Sequence, residues 1–279
     1  MPATLLRAVL VAAALGVAAA PPAAAGGGPG LNWSFSPLDP DPVKYWFATC
    51  DPGTVAVGGG ASLVGDTTGV HIDLLRPAAD GSVFEAAASA TADRRGRGEW
   101  GIVVYSICRP RPAGLVYVRP ASSAEVDSPL RTAVATCPPG TTLIGFGGRA
   151  ATEPSRNVAL HAMLPSADLD RVIVQSWALA GGEPDGWTAQ AYAVCAELPA
   201  EMVVSTVGPD STGAKVATAS CAAGTQVLSA GGAVFNAAGQ GWHAGVYPSG
   251  SLHSATAVAV EDPDGYVGNW FANAYAICA

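Results

Sequence analysis

Three segments decide the fold: WGIVVYSIC (Trp100–Cys108), WTAQAYAVC (Trp187–Cys195) and WFANAYAIC (Trp270–Cys278). Each reads Trp-x4-Tyr-x2-Cys. Strand side chains alternate between faces, so Trp187, Ala189, Ala191, Ala193 and Cys195 share one face. Thr188, Gln190, Tyr192 and Val194 share the other. A row of alanines between a Trp and a half-cystine predicts a face packed closely against another sheet, with the Trp plugging one end of that core. The row returns as Trp270, Ala272, Ala274, Ala276 and Cys278. Three copies of one such strand indicate an internal repeat.

Upstream of each closing segment stands a matching opening, Cys-x2-Gly-Thr: Cys50/Gly53/Thr54, Cys137/Gly140/Thr141 and Cys221/Gly224/Thr225. Ten positions after each opening Cys comes another glycine (Gly60, Gly147, Gly231), and a proline recurs after a short apolar run (Pro77, Pro165, Pro248). These landmarks place β repeats at 31–113, 114–200 and 201–279, after a Gly-rich stretch at 26–30.

The N-terminus carries Arg7, an apolar run from Ala8 to Ala20, and Ala23-Ala24-Ala25. That layout predicts a secretory signal peptide, residues 1–25, cleaved between Ala25 and Gly26. The run is short for a bilayer span and no second one follows, so no membrane span is expected. Export governs the reading of the six cysteines. Within each unit they stand 58, 58 and 57 residues apart. An even number, an exported context and the lack of any C-x2-C pair predict the disulfides Cys50–Cys108, Cys137–Cys195 and Cys221–Cys278 rather than a zinc site.

Composition agrees with a stapled β protein. Of 279 residues, 49% are hydrophobic and 13% charged, which excludes intrinsic disorder. The formal charge of −8 makes nucleic acid an unsuitable partner. Short runs rich in Val, Ile, Ala and aromatics, broken every 8–12 residues by turn formers, are an all-β signature. Six strands are expected per repeat; in the second they fall near 116–120, 131–137, 141–147, 157–164, 171–180 and 187–195. The joints RPRPAG (109–114) and AELPA (196–200) are short and stiff, so the repeats should pack together. The expected architecture is three homologous, disulfide-closed antiparallel β repeats forming packed small β-sandwich modules. The alternative is one pseudo-threefold, β-prism-like body.

The Cys-x2-Gly-Thr opening and Trp-x4-Tyr-x2-Cys ending resemble a repeat of secreted proteins from high-GC Gram-positive bacteria, over residues 31–279. Twelve arginines against two lysines suit a high-GC genome. The resemblance implies compartment and architecture only. The layout alone is also similar to the threefold, disulfide-bearing β-prism of the vitelline membrane outer layer proteins, a likeness that transfers no residues.

No catalytic signature is present: no G-x-S-x-G, H-E-x-x-H, Walker A or Rossmann fingerprint. GGGASLVG (58–65) lacks the Lys of a phosphate loop and reads as glycines at a bulge or a close sheet contact. His71, His161 and His243 stand at different distances from the recurring Pro, so no repeated metal site is expected. Trp100, Trp187 and Trp270 with their tyrosines read first as core and second as a glycan-stacking platform. Function is sought where the repeats differ, in the loops before the closing strands. One is basic, with Arg94, Arg95 and Arg97; two are acidic, with Glu183 and Asp185, and with Glu261, Asp262 and Asp264. The basic loop could hold an anionic polymer and the acidic loops calcium; the bland alternative is solvated hairpin tips. The expectation is an exported, non-catalytic protein without cofactor, acting in binding or structure at the cell surface or in the medium. Its partner would be a cell-surface glycan or a protein, and the alternative is a lectin-like carbohydrate-binding protein.

Overall fold

The structure, a computed structural model, describes residues 25–28, 30–91, 94, 98–123, 128–151, 157–179 and 186–279. The expected signal peptide lies outside them except for Ala25. Among the described residues there are strands and turns but no helix, and hence none long and apolar enough to cross a membrane.

A short strand β1 (Ala25–Gly28) precedes three sets of six. The first repeat holds β2 (Leu31–Phe35), β3 (Val43–Thr49), β4 (Thr54–Gly65), β5 (Val70–Pro77), β6 (Val83–Ala90) and β7 (Trp100–Pro110). The second holds β8 (Val116–Ser122), β9 (Leu130–Thr136), β10 (Thr142–Ala151), β11 (Val158–Pro165), β12 (Arg171–Ala178) and β13 (Thr188–Ala196). The third holds β14 (Glu201–Asp210), β15 (Ala214–Ser220), β16 (Val227–Phe235), β17 (Gly241–Pro248), β18 (Ser254–Glu261) and β19 (Trp270–Cys278).

These strands form three antiparallel sheets. Sheet I runs β1-β2-β7-β4-β17-β18-β15, sheet II β3-β6-β5-β10-β13-β8, and sheet III β14-β19-β16-β11-β12-β9. Each repeat therefore divides into two three-stranded layers, its first, sixth and third strands in one and its fourth, fifth and second in the other. Each layer continues into a layer of another repeat: β4 pairs β17, β10 pairs β5, and β16 pairs β11. The packed module and the threefold body thus describe one object at two scales. The all-β class and the strand positions follow the sequence pattern closely.

The repeated motifs have local physical causes. In Cys-x2-Gly-Thr, Gly53, Gly140 and Gly224 sit at φ of +86°, +82° and +89°, the left-handed region that a tight turn demands at its third position. The following threonine closes the turn twice: the amide and hydroxyl of Thr54 donate to Asp51 O at 3.0 and 2.7 Å, and Thr141 and Thr225 repeat this. The turn leads from the second strand of a repeat, in one sheet, to the third strand in the next. The disulfides Cys50–Cys108, Cys137–Cys195 and Cys221–Cys278 bridge the same corners.

One continuous core lies between the sheets, drawing on all three. Ala86, Ala88, Ala189, Ala191, Ala257, Ala274, Ala276 and others point into it without exposure, so the sheets approach closely. At the centre the third strands meet. Each carries a bulge, at Val57, Ile144 and Leu228, just before a small residue. A Cβ on Gly58 would stand 2.2 Å from Leu228 O, and one on Gly145 1.8 Å from Val57 O. The third repeat places Ser229 there, and its hydroxyl accepts from Phe146 N at 3.3 Å. The Gly-rich stretch at 58–65 is thus a close contact between sheets.

Candidate functional site

Three recurring landmarks, the closing Tyr, the glycine ten after the opening Cys and the residue before the Pro, come together on the outer face of each sheet. In sheet I, Trp33 is the register partner of Tyr105, and Tyr105 of Gly60. Gly60 lies beside Tyr247, which pairs with Thr256, and Thr256 pairs with Thr218. The outcome is one row across six strands. Sheet II repeats it as Tyr192, Gly147, Arg76, Glu85 and Phe47. Sheet III repeats it as Val204, Tyr275 and Gly231 and then, at the register set by the pairing of Ala162 with Ala233, Leu164, Ile173 and Val134. The backbone is the same three times, and the chemistry is not.

The row on sheet I is aromatic and hydroxylic. Tyr105 and Tyr247 stack with centroids 5.8 Å apart, and Trp33 stacks on Phe35 at 6.2 Å. These rings are half-buried or exposed. At the far end the hydroxyls of Thr218 and Thr256 are 3.1 Å apart.

The row on sheet II is polar. Arg76 Nε donates to Glu85 Oε2 at 2.6 Å, and Arg76 Nη1 to Tyr192 OH at 3.0 Å. Tyr192 OH in turn donates to Gln190 Oε1 at 2.8 Å, and the guanidinium lies 5.2 Å from the Tyr192 ring centroid. Burial and the neighbouring Glu85 push the Tyr45 phenol up to about 12. Arg76, Glu85, Tyr117 and Tyr192 line a cleft of about 160 Å³. The row on sheet III is aliphatic apart from the buried Tyr275, with Val134 and Val204 exposed.

The loops singled out by charge divide differently. Arg95, Arg97, Glu183 and Asp185 lie outside the described residues. Arg94 is turned inward: its Nη2 donates to Asp66 O at 2.6 Å and faces Asp66 Oδ2 at 3.5 Å. Glu261 accepts from Trp270 Nε1 at 2.8 Å. Asp262 contacts Gln240, and burial raises its carboxyl. Asp264 is exposed. Arg94 and Glu261 therefore hold their loops together rather than reaching out from them. Among the described residues no group of three or more His, Cys, Asp or Glu could hold a metal.

Trp100, Trp187 and Trp270 are buried, so no glycan can stack on them. Each lies under a buried cation: Lys44 Nζ at 5.1 Å, Arg131 Cζ at 4.4 Å and Lys215 Nζ at 4.4 Å from the ring centroid. The cations stand six residues before each opening Cys, and they include both lysines of the chain. That regularity is legible in the sequence as a basic residue at a fixed distance from each opening Cys. His71, His161 and His243 lie on β5, β11 and β17, buried where the fourth strands converge. His243 Nε2 donates to His161 O at 3.1 Å, and His71 meets Trp242 at 5.9 Å. Burial depresses their pKa values to about 4, 3 and 4 respectively for His71, His161 and His243, so all three are neutral.

No protein-family model matches the chain, and no curated protein matches it.

Proposed function

We propose that the chain is an exported, non-catalytic protein with a binding or structural role at the cell surface or in the medium. The observation that carries this reading is the contrast between a scaffold repeated three times and outer rows that differ each time. Residues that build a fold must recur in every repeat; Tyr247, Arg76 and Leu164 occupy equivalent positions and share no chemistry. Three disulfides support an oxidising compartment, as does the resemblance to secreted repeats. The non-catalytic reading is supported by the polar groups of the strands: Glu85 is neutralised by Arg76, and His71, His161 and His243 are sealed in the core.

A second reading, carbohydrate binding of the lectin type, is favoured by the aromatic and hydroxylic row of sheet I. Expression of the full chain in a secreting bacterial host tests the first reading. The expected product is extracellular, begins at Gly26 and contains no free thiol. It leaves ester, glycoside and peptide substrates intact. A reduced product retained in the cytoplasm would overturn export, and turnover abolished by Glu85→Gln would overturn the non-catalytic assignment.

A further inference from the structure

We infer that the outer face of sheet I is a binding site for a neutral polysaccharide chain, laid across the strands over Trp33, Tyr105 and Tyr247 and ending at Thr256 and Thr218. The inference rests on the lectin-type reading and gives it a site, a ligand class and a valency.

A pyranose ring presents C–H groups on its faces and hydroxyls at its rim. A surface that takes a run of such rings needs flat apolar platforms with hydrogen-bonding groups beside them. Sheet I supplies both in one line. Tyr105 and Tyr247 stack side by side where Gly60 bears no side chain, and a Cβ there would stand 2.0 Å from Val246 O. Trp33 extends the platform on β2, and Phe35 stacks on it. The Thr218 and Thr256 hydroxyls continue the row on β15 and β18. Such rings are held by the sheet beneath them and lose little freedom on binding.

Length and charge select the ligand. Strands lie about 4.8 Å apart, so a row from β2 to β15 spans roughly 24 Å, the reach of several linked sugars rather than one. The row holds no Asp, Glu, Lys, Arg or His, and the chain carries −8 overall, which repels an acidic polymer. A protein partner of apolar character would find sheet III, with Leu164, Ile173, Val134 and Val204, the better surface.

The equivalents of Tyr247 are Arg76, bound to Glu85, and Leu164. Neither offers a ring, so a body with threefold architecture has one glycan site per chain.

The test uses the mature, oxidised protein in depletion isotherms with cellulose, chitin and β-1,3-glucan, against polygalacturonate as the acidic comparison. At least one neutral polymer should retain the protein at one site per chain. Tyr247→Ala and Trp33→Ala should each weaken binding at least tenfold; Tyr247→Phe, Arg76→Ala and Leu164→Ala should not. Should either alanine variant fail to be exported, Phe35→Ala at an exposed position and protection of Trp33 from iodide quenching read the same surface. Undiminished binding by these variants would overturn the site and leave the lectin-type reading standing. No retention of the wild-type chain by any neutral polymer would overturn that reading together with the site. Preference for polygalacturonate would overturn the ligand class.

Discussion

Lys215 Nζ stands 4.4 Å from the centroid of the Trp270 indole, with its side chain wholly removed from solvent. The ammonium also donates to Thr212 O at 2.9 Å, Thr212 Oγ1 at 2.8 Å and Asp210 O at 3.1 Å, and it pairs with the Asp210 carboxylate. That contact holds the Asp210 carboxyl well below the usual range. The core Trp is thus capped by a cation that anchors the turn ahead of the second strand. Lys44 over Trp100, paired with Asp39, repeats the arrangement.

Removing the capping charge should therefore destabilise the fold without touching any outer row. Lys215→Met is expected to cost about 2–4 kcal/mol, from a desolvated cation–π contact and the acceptors left without a donor. Lys215→Arg should cost much less, because Arg131 holds the same place over Trp187. Urea midpoints of the three proteins check this; equal losses for Met and Arg would mean that shape and not charge is what Trp270 requires.

The centre of the body makes a different demand. Gly145→Ala drives a Cβ to within 1.8 Å of Val57 O, on a strand of another repeat, so the sheets must part. A loss above about 3 kcal/mol is expected, at the upper end for overpacking. Gly224→Ala meets nothing within 4 Å and bears only the strain of a left-handed φ, about 1–2 kcal/mol. Denaturation midpoints should rank the two well apart, and comparable midpoints would refute the close contact.

How much of this was legible can be read from particular residues. The alternation in WTAQAYAVC places Ala189, Ala191 and Ala193 in the core because a strand with one buried face must alternate. The expected strand at 141–147 extends in fact to Ala151, paired with Thr188, because it runs on through Gly148 and Arg149, residue types that read as a break. The pairing of β4 with β17 leaves no local trace: it depends on bulges and bare backbone meeting across repeats, and a sequence shows only the glycines. The sheet I row escaped for the same reason. Trp33 and Tyr105 meet within one layer of the first repeat, and only the exchange of layers, through the pairing of β4 with β17, brings Tyr247 beside them.

The disulfides close loops of nearly equal length at equivalent corners. Each links the end of a second strand to the sixth strand of its own repeat, in different sheets. The chain-entropy account gives each about 4 kcal/mol for a loop of this size, with native strain lowering it. Paired Cys→Ala replacements at 50/108, 137/195 and 221/278 should therefore cost similar amounts, each within about 1 kcal/mol of the others. Thermal scans of the three variants test the equivalence. A single dominant disulfide would show that one corner holds the body together.

Acid should weaken the fold well before the carboxylates of its ion pairs titrate. His71, His161 and His243 have folded pKa values of about 4, 3 and 4 because they are buried, against 6.5 for the free side chain. Below pH 6.5 the unfolded chain takes up protons that the folded chain refuses. Stability from these groups is therefore complete above that pH and lost as pH falls towards 4, on the order of 3 kcal/mol for each ring. Asp73 opposes them. Burial raises its carboxyl to about 6 despite the Ser89 hydroxyl bonded to it, so its contribution is present below pH 3.8 and lost as pH rises through 6. Three histidines against one carboxyl leave a net fall in stability between pH 6.5 and 4. Urea midpoints at pH 7.5, 6, 5 and 4 should decline over that interval, and His161→Gln should flatten the slope by about a third. A flat profile down to pH 4.5 would show that water reaches the rings where the fourth strands converge.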